Sequence, residues 1–85
     1  MSKYVIVITK RAKKSLDALP DLSIVQILNS IRKLSENPRP NGCKKLHGRE
    51  GYRIRVGDYR IIYRILDEIL VIEVIDIGHR KEIYG

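Results

Sequence analysis

The sequence predicts an α+β domain in which two N-terminal helices pack on a four-stranded, largely antiparallel sheet, in the order strand, helix, helix, strand, strand, strand. Three observations carry this. A β-branched run at residues 3–8 gives way after Thr9 to apolar residues at helical spacing. A tract of turn residues, Asn37-Pro38-Arg39-Pro40-Asn41-Gly42, then breaks the helical pattern. From Gly51 onward the apolar period falls to two, as in a half-buried strand. The chain has 85 residues, and domains usually take about 100 to 200, so residues 1–85 are expected to form one domain.

Each element has its own warrant. Thr9 is a good N-cap for the first helix, where Ala12, Leu16 and Leu19 form an apolar stripe and Lys10, Arg11, Lys13 and Lys14 a basic one. Pro20 ends that helix, and Asp21 is expected to cap a second with Ile24, Ile27, Leu28, Ile31 and Leu34 facing the core. In the next strand Tyr52, Ile54 and Val56 share one side and Arg53 and Arg55 the other. Gly57-Asp58 reads as a tight hairpin turn. The returning strand places Tyr59, Ile61, Tyr63 and Ile65 opposite Arg60 and Arg64, and Asp67-Glu68 supplies the next turn. The last strand, expected over residues 69–77, is apolar on both faces apart from Glu73 and Asp76, which suits an interior position in the sheet. A tail starting at Gly78 follows.

Composition narrows the function. Seventeen Lys and Arg against ten Asp and Glu give a formal charge of +7, which points to a polyanionic partner. No apolar run approaches the roughly 20 residues of a membrane helix, and the N-terminus lacks the order of charge before apolar stretch that marks a signal peptide. With a single cysteine, Cys43, no internal disulfide framework is available. The expectation is a cytoplasmic protein without membrane association, metal or cofactor. Seven basic residues, Lys44, Lys45, Arg49, Arg53, Arg55, Arg60 and Arg64, face only Glu50 and Asp58 in the same stretch. Arginine grips phosphate through two parallel hydrogen bonds, so a hairpin presenting several arginines together outlines a phosphate site. A solvated face whose arginines pair with Glu73 and Asp76 accounts for the same pattern, and clustering alone does not separate the two. Beyond the last strand lie His79, Arg80 and Tyr84. Histidine, arginine and tyrosine can supply the proton transfers and charge stabilisation that metal-free RNA cleavage needs, although a lone histidine or tyrosine in such a place often only packs. His47 is a weaker candidate.

Three runs together resemble a known group: Lys45-Leu46-His47-Gly48, Gly51-Tyr52-Arg53-Ile54-Arg55-Val56-Gly57-Asp58-Tyr59-Arg60-Ile61-Ile62-Tyr63, and Ile77-Gly78-His79-Arg80-Lys81-Glu82-Ile83-Tyr84. The chain looks like the RelE/ParE superfamily of bacterial and archaeal toxins, over nearly its whole length. The resemblance implies the toxin of a type II toxin–antitoxin system with a cognate antitoxin as partner, reaching operator DNA only within that complex. A RelE-type member is expected to be an endoribonuclease that cuts messenger RNA in the ribosomal A site by attack of the ribose 2′-OH on the adjacent phosphate, and so inhibits translation. By the same resemblance Arg53 and Arg55 match the pair of basic residues on the second strand, Arg60 matches the phosphate-contacting arginine of the third strand, and Arg80 and Tyr84 match the C-terminal arginine and tyrosine, with His79 beside them; Arg53, Arg55 and Arg60 are expected to hold the scissile phosphate. Lys44, Lys45, Arg49 and Arg64 are expected to add RNA contacts. RelE-type enzymes often carry lysines at the positions of Arg53 and Arg55. Arginine does not give up its proton, so Arg53 is a poor general base, and the proton role passes to Tyr84 or His79. Two other readings remain open: a ParE-type toxin that poisons DNA gyrase without nuclease activity, and a basic nucleic-acid-binding module without catalysis.

Overall fold

In a computed structural model, which describes residues 3–79, strand β1 (Val5–Ile8) is followed by helices α1 (Lys10–Asp17) and α2 (Asp21–Leu34). Strands β2 (Lys44–Lys45), β3 (Tyr52–Val56) and β4 (Tyr59–Leu66) come next, then a 3-10 turn at Asp67–Ile69 and strand β5 (Val71–His79). The sheet order is β1-β5-β4-β3-β2, with β1 parallel to β5 and every other pair antiparallel. The α+β class holds, and β5 lies inside the sheet between β1 and β4.

Three details differ from the sequence reading. The sheet has five strands because Lys44–Lys45 pairs with Arg53 and Tyr52; a two-residue strand is too short to show a period. Asp21 is the first residue of α2 and not its cap, since Pro20 occupies the N-cap position without a side-chain capping bond. The last strand runs through His79, and the turn before it consumes Asp67–Ile69.

The helices bury one face of the sheet. Ala12 and Leu16 from α1 and Ile27, Ile31 and Leu34 from α2 form a core with Ile54, Ile61, Tyr63, Ile72, Val74 and Ile77 from the strands. Thr9 caps α1 as expected: its hydroxyl accepts from the Ala12 N–H at 3.2 Å and donates to the Ile75 carbonyl at 3.1 Å. Ile75 is the extra residue of a β-bulge, because Ile62 pairs with Asp76 while Tyr63 pairs with Val74. The bulge reverses the parity of β5. Ile72 and Val74 before it, and Ile77 after it, therefore all face the helices, which explains an apolar pattern on both parities of one strand.

The loop between α2 and β2 is held from two sides. The buried Tyr63 hydroxyl donates to the Pro38 carbonyl at 2.7 Å, and burial raises its pKa above the ordinary value of 10.0. Arg39 donates to Asp67 at 2.9 Å, stacks over the Tyr52 ring at 5.5 Å, and shares Asp67 with the Tyr4 hydroxyl at 2.6 Å. The Tyr4 hydrogen bond, with Arg39 beside it, lowers the Asp67 pKa. Among the described residues no helix is long and apolar enough to cross a membrane.

Candidate nucleic-acid interface

Pleating decides which basic side chains meet. In a strand, successive side chains point to opposite faces, and directly paired residues share a face. Tyr52, Ile54 and Val56 turn toward the helices, so Arg53 and Arg55 lie on the outer face of the sheet. Gly57 has φ +60° while Asp58 is not in the left-handed region, the signature of a two-residue turn with glycine first. That turn sets the register in which Arg55 stands directly opposite Arg60, and Arg60 opposite Gly78. The row Arg55, Arg60, Gly78 runs across three strands, and Gly78 adds no side chain beside Arg60. The next row is Lys44, Arg53, Ile62, Asp76.

Burial grades these cations. Arg60 is only 7% exposed, Arg53 is half-buried and Arg55 exposed. The carboxylates of this face are taken by other arginines. Arg64 lies opposite Glu73 and binds it through Nε at 2.9 Å and Nη2 at 2.8 Å, with Glu50 at 3.8 Å from Nη1. Asp76 takes Arg11 of α1 at 3.3 Å and accepts the Ile77 N–H at 2.9 Å. Among the described residues, Lys44, Lys45, Arg49, Arg53 and Arg55 take part in no ion pair. Glu73 and Asp76 thus do pair with arginines, but with Arg64 and Arg11, and no carboxylate among the described residues pairs with Arg53 or Arg55.

The structure does not bring all the sequence candidates together. His79 is the last residue of β5, directly opposite Tyr59, with the two rings 5.9 Å apart and nearly perpendicular. Tyr59 packs against the core, so His79 faces the helix side and not the arginine side. The bulge at Ile75 causes this, since an unbroken alternation from Ile72 and Val74 would put residue 79 beside the arginines. Arg80 and Tyr84 lie outside the described residues. Lys44 and Lys45 sit on the edge strand next to Arg53 and Tyr52, and Arg49 is in the exposed loop before β3. Sequence reasoning missed the Tyr4–Asp67–Arg39–Tyr52 contacts, which join segments far apart in the chain and leave no periodic signal.

Comparison with known proteins agrees with this architecture. The family model described as the ParE toxin of the type II toxin–antitoxin system parDE matches residues 6–84. The RelE1 protein of Methanocaldococcus jannaschii is 33% identical over 86 residues, covering 96% of each chain. Among solved structures, the toxin–antitoxin complex RelBE2 of Mycobacterium tuberculosis matches with a TM-score of 0.84 at 27% identity, over 96% of this chain and 97% of the other. The archaeal RelE–RelB complex of Pyrococcus horikoshii matches at 0.82 and 30% identity, over 94% and 98%. A family match spanning the sheet, both helices and the basic hairpin leads to one conclusion: this chain belongs to the RelE/ParE family and is the toxin of a type II toxin–antitoxin system.

Proposed function

We propose that this toxin is a metal-independent endoribonuclease that cuts messenger RNA in the ribosomal A site and so arrests translation. One observation carries the reading: Arg53, Arg55 and Arg60 share the outer face of adjacent strands, and neither Arg53 nor Arg55 is paired with a carboxylate among the described residues. In this reading the three guanidiniums hold the scissile phosphate and offset the charge that builds on its oxygens as the ribose 2′-OH attacks. Expulsion of the 5′-oxygen leaves a 2′,3′-cyclic phosphate. Arg80 adds charge stabilisation at the leaving group, and Tyr84, matched by family resemblance, handles the proton. His79 is the weaker proton carrier because it shares a face with Tyr59. The partner is a cognate antitoxin, by analogy with the RelB-bound toxins of M. tuberculosis and P. horikoshii; an acidic segment laid on the arginine face would compete with RNA. Arg64 is assigned a structural role through Glu73.

Gyrase poisoning is the second reading, favoured by the description of the matching family as ParE toxins. Primer extension on a defined message in a translating extract separates the two, with Arg80→Ala in parallel. Breaks within codons that need engaged ribosomes and vanish in the variant are the expected result. An intact message beside folded toxin, with DNA breaks on induction, would establish the gyrase reading instead.

A further inference from the structure

Among the described residues β2 covers β3 only at Tyr52 and Arg53, and no strand pairs with that edge of β3 from Ile54 onward. The Gly57-Asp58 turn makes Val56 and Tyr59 a hydrogen-bonded pair, and antiparallel alternation then turns the Arg55 N–H and C=O away from β4. No backbone hydrogen bond joins Arg55 to the loop beside it, among the described residues. A cleft of about 320 Å³ opens at this edge, between the last turns of α2 and the loop at residues 40–42, within the range of small-ligand sites. Leu34, Pro40 and Ile54 supply apolar wall, and Ser30 and Asn41 bring a hydroxyl and a carboxamide. Lys33 and Arg55 are the ionisable residues that line it, and no carboxylate among the described residues does. The C-terminal end of α2 does not cancel them: the Lys33 carbonyl accepts from Glu36 and Asn37, and the Arg32 carbonyl from Ser35.

We propose that this cleft is a nucleobase subsite, seating the base next to the phosphate held on the arginine face and selecting it through Asn41 and the Arg55 backbone. A base is flat, apolar on its faces and polar on its edge, and it arrives attached to a phosphate. The cleft offers apolar walls, hydrogen-bonding groups from α2 and from the loop across it, and the Lys33 cation without a competing anion among the described residues. Arg55 belongs to both surfaces, its side chain to the arginine face and its edge backbone to the cleft, so one nucleotide spans them. The inference rests on the RNA reading above and adds the source of sequence preference.

The test is a titration of the isotope-labelled full chain, free of antitoxin, with each of the four nucleoside 3′-monophosphates and with inorganic phosphate, followed by amide chemical shifts. Nucleotides are expected to move the Leu34, Asn41 and Gly42 amides as well as the arginine face, one base more tightly than the rest, while inorganic phosphate moves only the region of Arg53, Arg55 and Arg60. Asn41→Ala, an exposed loop change, should weaken the preferred nucleotide about fivefold, one neutral hydrogen bond, and leave inorganic phosphate unchanged. Ser30→Ala serves as the second variant. Shifts confined to the arginine face, with equal affinity for all bases, would overturn the subsite and leave the RNA reading standing. Cleft shifts on adding antitoxin but not nucleotide would make it an antitoxin seat and overturn the proposal. Silence on both surfaces would remove the RNA reading and the subsite with it.

Discussion

Two single residues carry more structure than their types announce. Gly51 is buried with φ +131°, and a Cβ there would stand 3.0 Å from the Tyr63 carbonyl and 3.2 Å from Leu46 Cδ1. Its own carbonyl accepts the Leu46 N–H at 2.9 Å, which folds the basic loop back onto the start of β3. Gly51→Ala is expected to cost about 1–3 kcal/mol, the range for a strained backbone with a steric conflict, read as a lower urea midpoint at unchanged slope. Tyr63 is the second. Tyr63→Phe keeps the ring in the core but strips the Pro38 carbonyl of its donor, an expected loss of about 1 kcal/mol at neutral pH. The variant also has a pH signature. Burial raises the Tyr63 pKa above its ordinary 10.0, so the phenol contributes stability that is complete below pH 10 and is lost as pH rises beyond it. Wild-type stability should fall more steeply than that of Tyr63→Phe in alkaline urea titrations, and parallel slopes would contradict the assignment.

At the scale of elements, the junction of β1 and α1 is coupled to the bulge in β5 through one hydroxyl. Thr9 caps α1 and holds the Ile75 carbonyl, the extra residue that reverses strand parity. Thr9→Ala removes both bonds and is expected to destabilise by about 1–2 kcal/mol, whereas Thr9→Ser should retain most of the stability; thermal unfolding of the pair checks this. The bulge also marks where the sequence stops being legible. Helices ending near Pro20 and Leu34, and the arginine-bearing hairpin around Gly57-Asp58, follow from capping, period and turn chemistry. A bulge has no such marker. Its trace was the presence of isoleucine and valine on both parities of residues 71–77, which reads equally well as an interior strand, and β5 is one. The consequence falls on the candidate site, where alternation keeps Arg53, Arg55 and Arg60 together correctly but the bulge sends His79 to the other face. The clasp of Arg39, Asp67, Tyr4 and Tyr52 was illegible for a different reason, since it depends on where a loop crosses the sheet and not on any local pattern.

For the whole molecule the formal charge of +7 overstates what faces a nucleic acid, because individual cations differ in what they are bound to. Arg64 is neutralised by Glu73 across the strand pair and Arg11 by Asp76, whereas Arg53 and Arg55 have no ion-pair partner among the described residues. Counterion release follows contacts to phosphate, not total charge: each neutralised phosphate on a single strand steepens the plot of log affinity against log salt by about 0.7. Arg53→Gln and Arg55→Gln should therefore each flatten that slope by roughly this amount, and the double variant by about twice as much. Arg64→Gln removes the same formal charge but frees Glu73, so its slope should stay at the wild-type value while stability drops by less than about 1 kcal/mol. Fluorescence anisotropy of a labelled single-stranded RNA, measured between roughly 50 and 200 mM salt, gives all four slopes, with a thermal melt of each variant as the folding control. Equal flattening by all three arginines would mean that the protein presents a diffuse cloud of charge. Flattening by Arg53 and Arg55 alone would mean that the ion pairs sort the outer face into structural cations and a phosphate-holding set.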